Sequence, residues 1–231
     1  MRPVKVVVIY SLDGGVGKTT LSAVIGVAKG YTLLIDADWE KAELSQLFRA
    51  PRRDGWLAPF YGRSFHVHQI SPSLYLIPGY DAVDYYRREG SPEDLEEALA
   101  QWVQHAPRIV DKLRLPVDAV VIDTTPALRP RLLEGLSKLG ARMLFVGDVR
   151  LLSRISDIKA EQYKQYMQYS FAVVINQVDK GDVMTAKAIT PYVVKHVSGI
   201  KDYRGESVVS AILRDSANRR SIEELLTKIK S

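Results

Sequence analysis

No cysteine occurs among the 231 residues, which excludes disulfides and thiolate metal sites and argues against a cysteine-held metal cluster. No apolar run approaches the ~18 residues of a membrane span. Met1-Arg2-Pro3-Val4 leads directly into a strand-like run, so neither a signal peptide nor a transmembrane segment is expected, and the chain reads as cytoplasmic. Repeats, low-complexity tracts and interdomain linkers are also missing. What is present is 46% hydrophobic residues, enough for one sizeable domain, expected to span 1–231. The formal charge is +5 and the pI about 9.3. That balance suits a polyanionic partner, although many solvated surfaces are mildly basic. The charge is uneven: residues 64–128 carry 5 Lys/Arg against 10 Asp/Glu, and residues 129–231 carry 18 against 11.

One stretch organises the rest. Val4-Lys5-Val6-Val7-Val8-Ile9-Tyr10 is an apolar, β-branched run suited to a buried parallel strand. Ser11-Leu12-Asp13-Gly14-Gly15-Val16-Gly17-Lys18-Thr19-Thr20 follows, and then Leu21, Val24, Ile25 and Ala28 fall at helical spacing. A Gly-rich loop between a strand and a helix N-terminus is the context of a phosphate cradle. Glycines let backbone N–H groups turn toward an anion, a lysine at Lys18 reaches the β- and γ-phosphates, and the Thr19 hydroxyl is available to Mg²⁺. The usual P-loop has glycine where this chain has Leu12.

Further strands end in carboxylates. Tyr31-Thr32-Leu33-Leu34-Ile35-Asp36-Ala37-Asp38 and Val117-Asp118-Ala119-Val120-Val121-Ile122-Asp123 are both buried-strand patterns. Ligands of open α/β sheets sit at the carboxyl ends of strands. One of Asp36 and Asp38 could instead cap the following helix. Phe171-Ala172-Val173-Val174-Ile175-Asn176 is another such strand, whose Asn176 could contact a base edge or hold a turn. Ser91-Pro92-Glu93-Asp94 marks a helix start. Arg49 to Arg63, rich in Pro, Gly and Arg, reads as an irregular connection. Leu151 to Tyr169 reads as a helix with Ile155, Ile158 and Tyr163 toward the core. A helix near Thr185–His196, a strand near Val208–Leu213 and a last helix near Ser221–Lys230 complete the expected order. The fold class expected is α/β: three layers, a mostly parallel sheet of about seven or eight strands, and flanking helices.

Gly14-Gly15-Val16-Gly17-Lys18-Thr19-Thr20 resembles the deviant Walker A loop of the ParA/MinD family of P-loop ATPases, written Lys-Gly-Gly-x-Gly-Lys-Thr-Thr/Ser. Six of its seven fixed positions match. The exception is the signature lysine, which is Asp13 here. The resemblance implies ATP and Mg²⁺ as cofactors. It implies nucleotide binding through Gly14 to Thr20 with Asn176 at the base, and Mg²⁺ at Thr19 with Asp36 and Asp123 in support. Asp38 is implied to position the attacking water beside Lys18. In the family the signature lysine crosses an ATP-dependent dimer to the partner's phosphates. Asp13 cannot do so, and is expected to point away from the phosphates and to accept backbone N–H bonds of the loop. Slow turnover follows unless another cation, such as Arg150, substitutes.

ParA-like members bind DNA nonspecifically, and MinD-like members bind membrane through a C-terminal amphipathic helix. Ile222, Leu225, Leu226 and Ile229 lack aromatic anchors, and Glu223 and Glu224 oppose anionic lipid. Arg214, Arg219 and Arg220 lie where ParA-like proteins meet DNA, although three arginines also suit a solvated face. The reading is a slow ParA-like ATPase switch in DNA partition, nucleoid-associated, with a stimulating partner protein and an ATP-dependent homodimer; membrane is disfavoured. The alternatives are a MinD-like positioning ATPase or a nucleotide-binding scaffold with little hydrolysis.

Overall fold

A computed structural model describes residues 4–154 and 160–231. Its centre is an eight-stranded sheet: β1 (Lys5–Tyr10), β2 (Thr32–Ala37), β3 (His68–Ser71), β4 (Leu74–Ile77), β5 (Ala119–Thr124), β6 (Arg142–Gly147), β7 (Ala172–Val178) and β8 (Val193–Lys195). The order across the sheet is β3-β4-β2-β5-β1-β6-β7-β8. Every pairing is parallel except β3 with β4. The continuous apolar runs of β1, β2 and β5 are the pattern of strands covered on both faces, and all three are buried almost throughout.

Helices form the outer layers. One face carries α1 (Lys18–Lys29), α2 (Glu43–Leu47), α9 (Glu206–Leu213) and α10 (Ser216–Lys230). The other carries α3 (Tyr80–Glu89), α4 (Pro92–Leu113), α5 (Pro130–Lys138), α6 (Val149–Arg154), α7 (Ala160–Met167) and α8 (Val183–Ile189). Ser91 caps α4, its side chain accepting from the Asp94 amide, as the Ser-Pro-acid signature predicts. Arg49–Arg63 is irregular apart from a 3₁₀ turn at Ala58–Tyr61, but fully buried Trp56 anchors it against the core.

Two expected elements are wrong. Val208–Leu213 is helical, not a strand: Val208, Val209, Ala211 and Ile212 are buried while Ser210 is exposed, the one-sided pattern of a helix. The helix expected over Thr185–His196 stops at Ile189. Thr190 is extended before Pro191, and 193–195 form the edge strand β8. On the long helix expected from Leu151, Ile155 and Ile158 lie outside the described residues, while Tyr163 is buried.

Candidate functional site

The carboxyl ends of β1, β2 and β5 place the candidate residues together. Register pairs Asp36 with Asp123 across β2 and β5, and Ile9 with Asp123 across β1 and β5. The loop after β1 delivers Lys18 as the first residue of α1. Gly15 and Gly17 adopt φ of 76° and 86°, left-handed values that favour glycine. A Cβ on Gly17 would also fall 2.3 Å from Asn176 Nδ2. Gly17 caps α1 without a side-chain bond, and the first turn holds no acid. Among the described residues, the N–H groups of Lys18, Thr19 and Thr20 have no protein acceptor, which leaves them and the positive end of the helix dipole to an anion.

A cleft of about 620 Å³ opens over this loop, with Gly14, Lys18, Thr19, Thr20 and Asp38 in its lining. Lys18 is buried, which pushes its ammonium below the ordinary lysine value, against the pull of Asp123 and Asp38. Asp38 is buried, accepts the Glu40 amide at 3.1 Å, and is raised above the ordinary aspartate value chiefly by burial. Asp123 is fully buried. Its Oδ1 accepts the Ser22 hydroxyl at 3.0 Å, and burial raises it to about 7 against the pull of Lys18 and of the Thr19 and Ser22 hydroxyls. Asp123 Oδ2 is buried without a partner. A buried carboxylate oxygen without a partner, near the Thr19 hydroxyl, suits a hydrated Mg²⁺.

Asp36 is placed differently. Its Oδ2 accepts both the backbone amide (2.7 Å) and the hydroxyl (2.5 Å) of Ser45, and Oδ1 accepts the Asp38 amide at 3.3 Å. Ser45 Oγ in turn accepts the Gly79 amide at 3.0 Å. Burial, with Asp123 alongside, raises Asp36 well above the usual carboxylate range. Asp36 thus ties β2 to α2 and to the start of α3. Asn176 sits beneath the loop, its Nδ2 donating to the Val16 carbonyl at 3.0 Å. Asp13 accepts the hydroxyl of buried Tyr163, a side-chain partner from α7 that the sequence did not indicate. Arg150 donates to the Gly14 carbonyl at 3.0 Å and is braced by Asp148.

Arg214, Arg219 and Arg220 are exposed around the α9–α10 junction and none lines the cleft. Sequence reasoning missed Ser22, Ser45 and Gln177. Ser22 was within reach, because it lies one turn after Lys18 on the same face of α1. Gln177 follows Asn176 at the same strand end, whereas nothing in the sequence marks Ser45.

No protein-family model matches the chain, and no curated protein sequence matches it. Solved structures do. MinD of Aquifex aeolicus, also solved with MinC, shares 19% identity at a TM-score of 0.64, covering 97% of each chain. A putative plasmid partition protein of Borrelia burgdorferi bound to AMPPNP shares 13% at 0.65, covering 98% of each. MinD of Pyrococcus horikoshii with Mg-ADP shares 16% at 0.60, covering 98% of this chain and 96% of that one. The chain therefore has the ParA/MinD-type P-loop fold.

Proposed function

We propose that the chain is a Mg-ATP-binding switch that hydrolyses ATP slowly and acts in DNA partition. The observation that carries this reading is that Lys18, Thr19 and Asp38 line one cleft at the helix N-terminus, while Asp123, on the neighbouring strand, keeps one buried carboxylate oxygen without a partner. Gly14 to Thr20 cradle the phosphates, and Lys18 compensates their charge in a partly dry site. Thr19 and Asp123 would hold Mg²⁺, which when bound would supply charge neutralisation for phosphoryl transfer. Asp38, near the phosphate end of the cleft, orients water. Asp36 supports this set through β2 rather than as a direct ligand. The crystal complexes of the neighbours with Mg-ADP and AMPPNP support the same cofactors here, and the MinC complex supports a protein partner.

Nonspecific DNA as the surface bound is favoured by the basic C-terminal part and by exposed Arg214, Arg219 and Arg220. A MinD-like amphipathic anchor is disfavoured because the apolar face of α10, Ile222, Leu225, Leu226 and Ile229, is buried in the chain's own core. The test is ATP turnover in Mg²⁺ with and without nonspecific duplex DNA. Slow turnover raised by DNA is expected. Stimulation by anionic vesicles but not by DNA would move the reading to a membrane-positioning ATPase.

A further inference from the structure

Four successive peptide carbonyls of the Gly-rich loop are each held by a different side chain of the same subunit. Ser11 Oγ donates to the Asp13 carbonyl at 2.7 Å, and Arg150 Nη2 to that of Gly14 at 3.0 Å. Gln177 Nε2 donates to the Gly15 carbonyl at 3.0 Å and Asn176 Nδ2 to that of Val16 at 3.0 Å. Arg150 is itself fixed: its Nε donates to both carboxylate oxygens of Asp148, at 3.0 and 2.8 Å. Gln177 stands at φ 58°, a left-handed conformation that is costly for a residue with a side chain. It does so where the β7–β8 register shifts.

Glycine peptides flip readily, and a carbonyl facing the cleft would present a negative dipole to a phosphate. In a trans peptide the N–H points opposite to its C=O. Holding the four carbonyls on protein donors therefore fixes the orientation of the amides of Gly14, Gly15, Val16 and Gly17. Two of the four donors, Ser11 and Asn176, are buried with the core. The other two, Arg150 and Gln177, are exposed and come from the start of α6 and the end of β7.

We propose that Arg150 and Gln177 are positioning residues that set the phosphate-cradling face of the loop before nucleotide arrives. The binding site for the β-phosphate of a nucleoside di- or triphosphate is then complete within one chain, with no residue from a second copy. Arg150 acts through the Gly14 carbonyl and not by touching the terminal phosphate. The inference rests on the nucleotide-binding reading above.

Calorimetric titration of Mg-ADP and Mg-ATP into the wild type, Arg150→Ala, Gln177→Ala and the double variant tests it. A hydrogen bond of this kind corresponds to about 5- to 10-fold in affinity. Each single variant is expected to bind both nucleotides about 5- to 10-fold more weakly, with the double variant losing less than the product because the loop is already slack. Arg150→Lys, still a donor, recovers part of the loss. Wild-type stoichiometry is one nucleotide per chain, with an affinity independent of protein concentration. Unchanged affinities in the variants, a loss confined to ATP, or half-site stoichiometry would overturn the proposal. A wild type that binds neither nucleotide would instead defeat the functional reading on which it rests.

Discussion

Asp36, Asp38 and Asp123 show how far single residues speak for themselves. All three stand out in the sequence as carboxylates at strand ends, and the structure brings all three to one end of the sheet. Their division of labour was not legible, because it depends on Ser45 and Ser22, which reach Asp36 and Asp123 from α2 and α1. With Asp38 lining the cleft and Asp36 spent on Ser45, Asp38→Ala should keep Mg-ATP affinity within about twofold yet lose most turnover, the pattern of an interaction made only in the transition state. Equal loss of binding would assign Asp38 to the ground state.

Asp81, in the first turn of α3, gives a separate prediction. Burial raises it to about 6, partly offset by amides of the Gly55–Ala58 turn and Ala82. Its folded value lies above its ordinary 3.8, so between those two pH values the native state binds the extra proton. Asp81 therefore makes stability fall as pH rises from about 4 to 6, by up to ~1.4 kcal/mol per pH unit. Urea unfolding of Asp81→Asn should show this segment of the slope removed relative to wild type, and parallel profiles would contradict it.

At the scale of elements, the long apolar strands and the Ser91 cap were readable because their signals are local. The errors fell in the last fifty residues. Val208-Val209 suggested a strand through β-branching, yet the 208/209/211/212 spacing belongs to a helix, and packing against α1 overrides propensity. The three-residue strand β8 is too short to carry a periodic signal. The amphipathic pattern of α10 was legible, and the structure turns its apolar face inward. Leu225, fully buried there, should cost about 2–5 kcal/mol of stability when changed to Ala. Vesicle binding by the wild type should be absent under the same conditions. A Leu225→Ala variant as stable as the wild type would mean that α10 is not seated on the core.

For the whole molecule, the sheet order places the Gly-rich loop after central β1, between β5, which supplies Asp123, and β6, which leads into Asp148. The basic arginines lie apart from that cleft, at the α9–α10 junction. A DNA-bound state would therefore be read through phosphates and lose affinity steeply with salt. Replacing Arg219 and Arg220 with Ala should weaken DNA binding and flatten the salt slope by up to about two, and an unchanged slope would remove them from the interface. The central claim is nucleotide binding at the loop that Lys18 closes. Its most direct test is a calorimetric titration of ATP into wild type and Lys18→Ala, each with and without Mg²⁺. One Mg²⁺-dependent site per wild-type chain and none in Lys18→Ala is the expected result. ATP binding that survives Lys18→Ala unchanged, or no binding by the wild type, would contradict it.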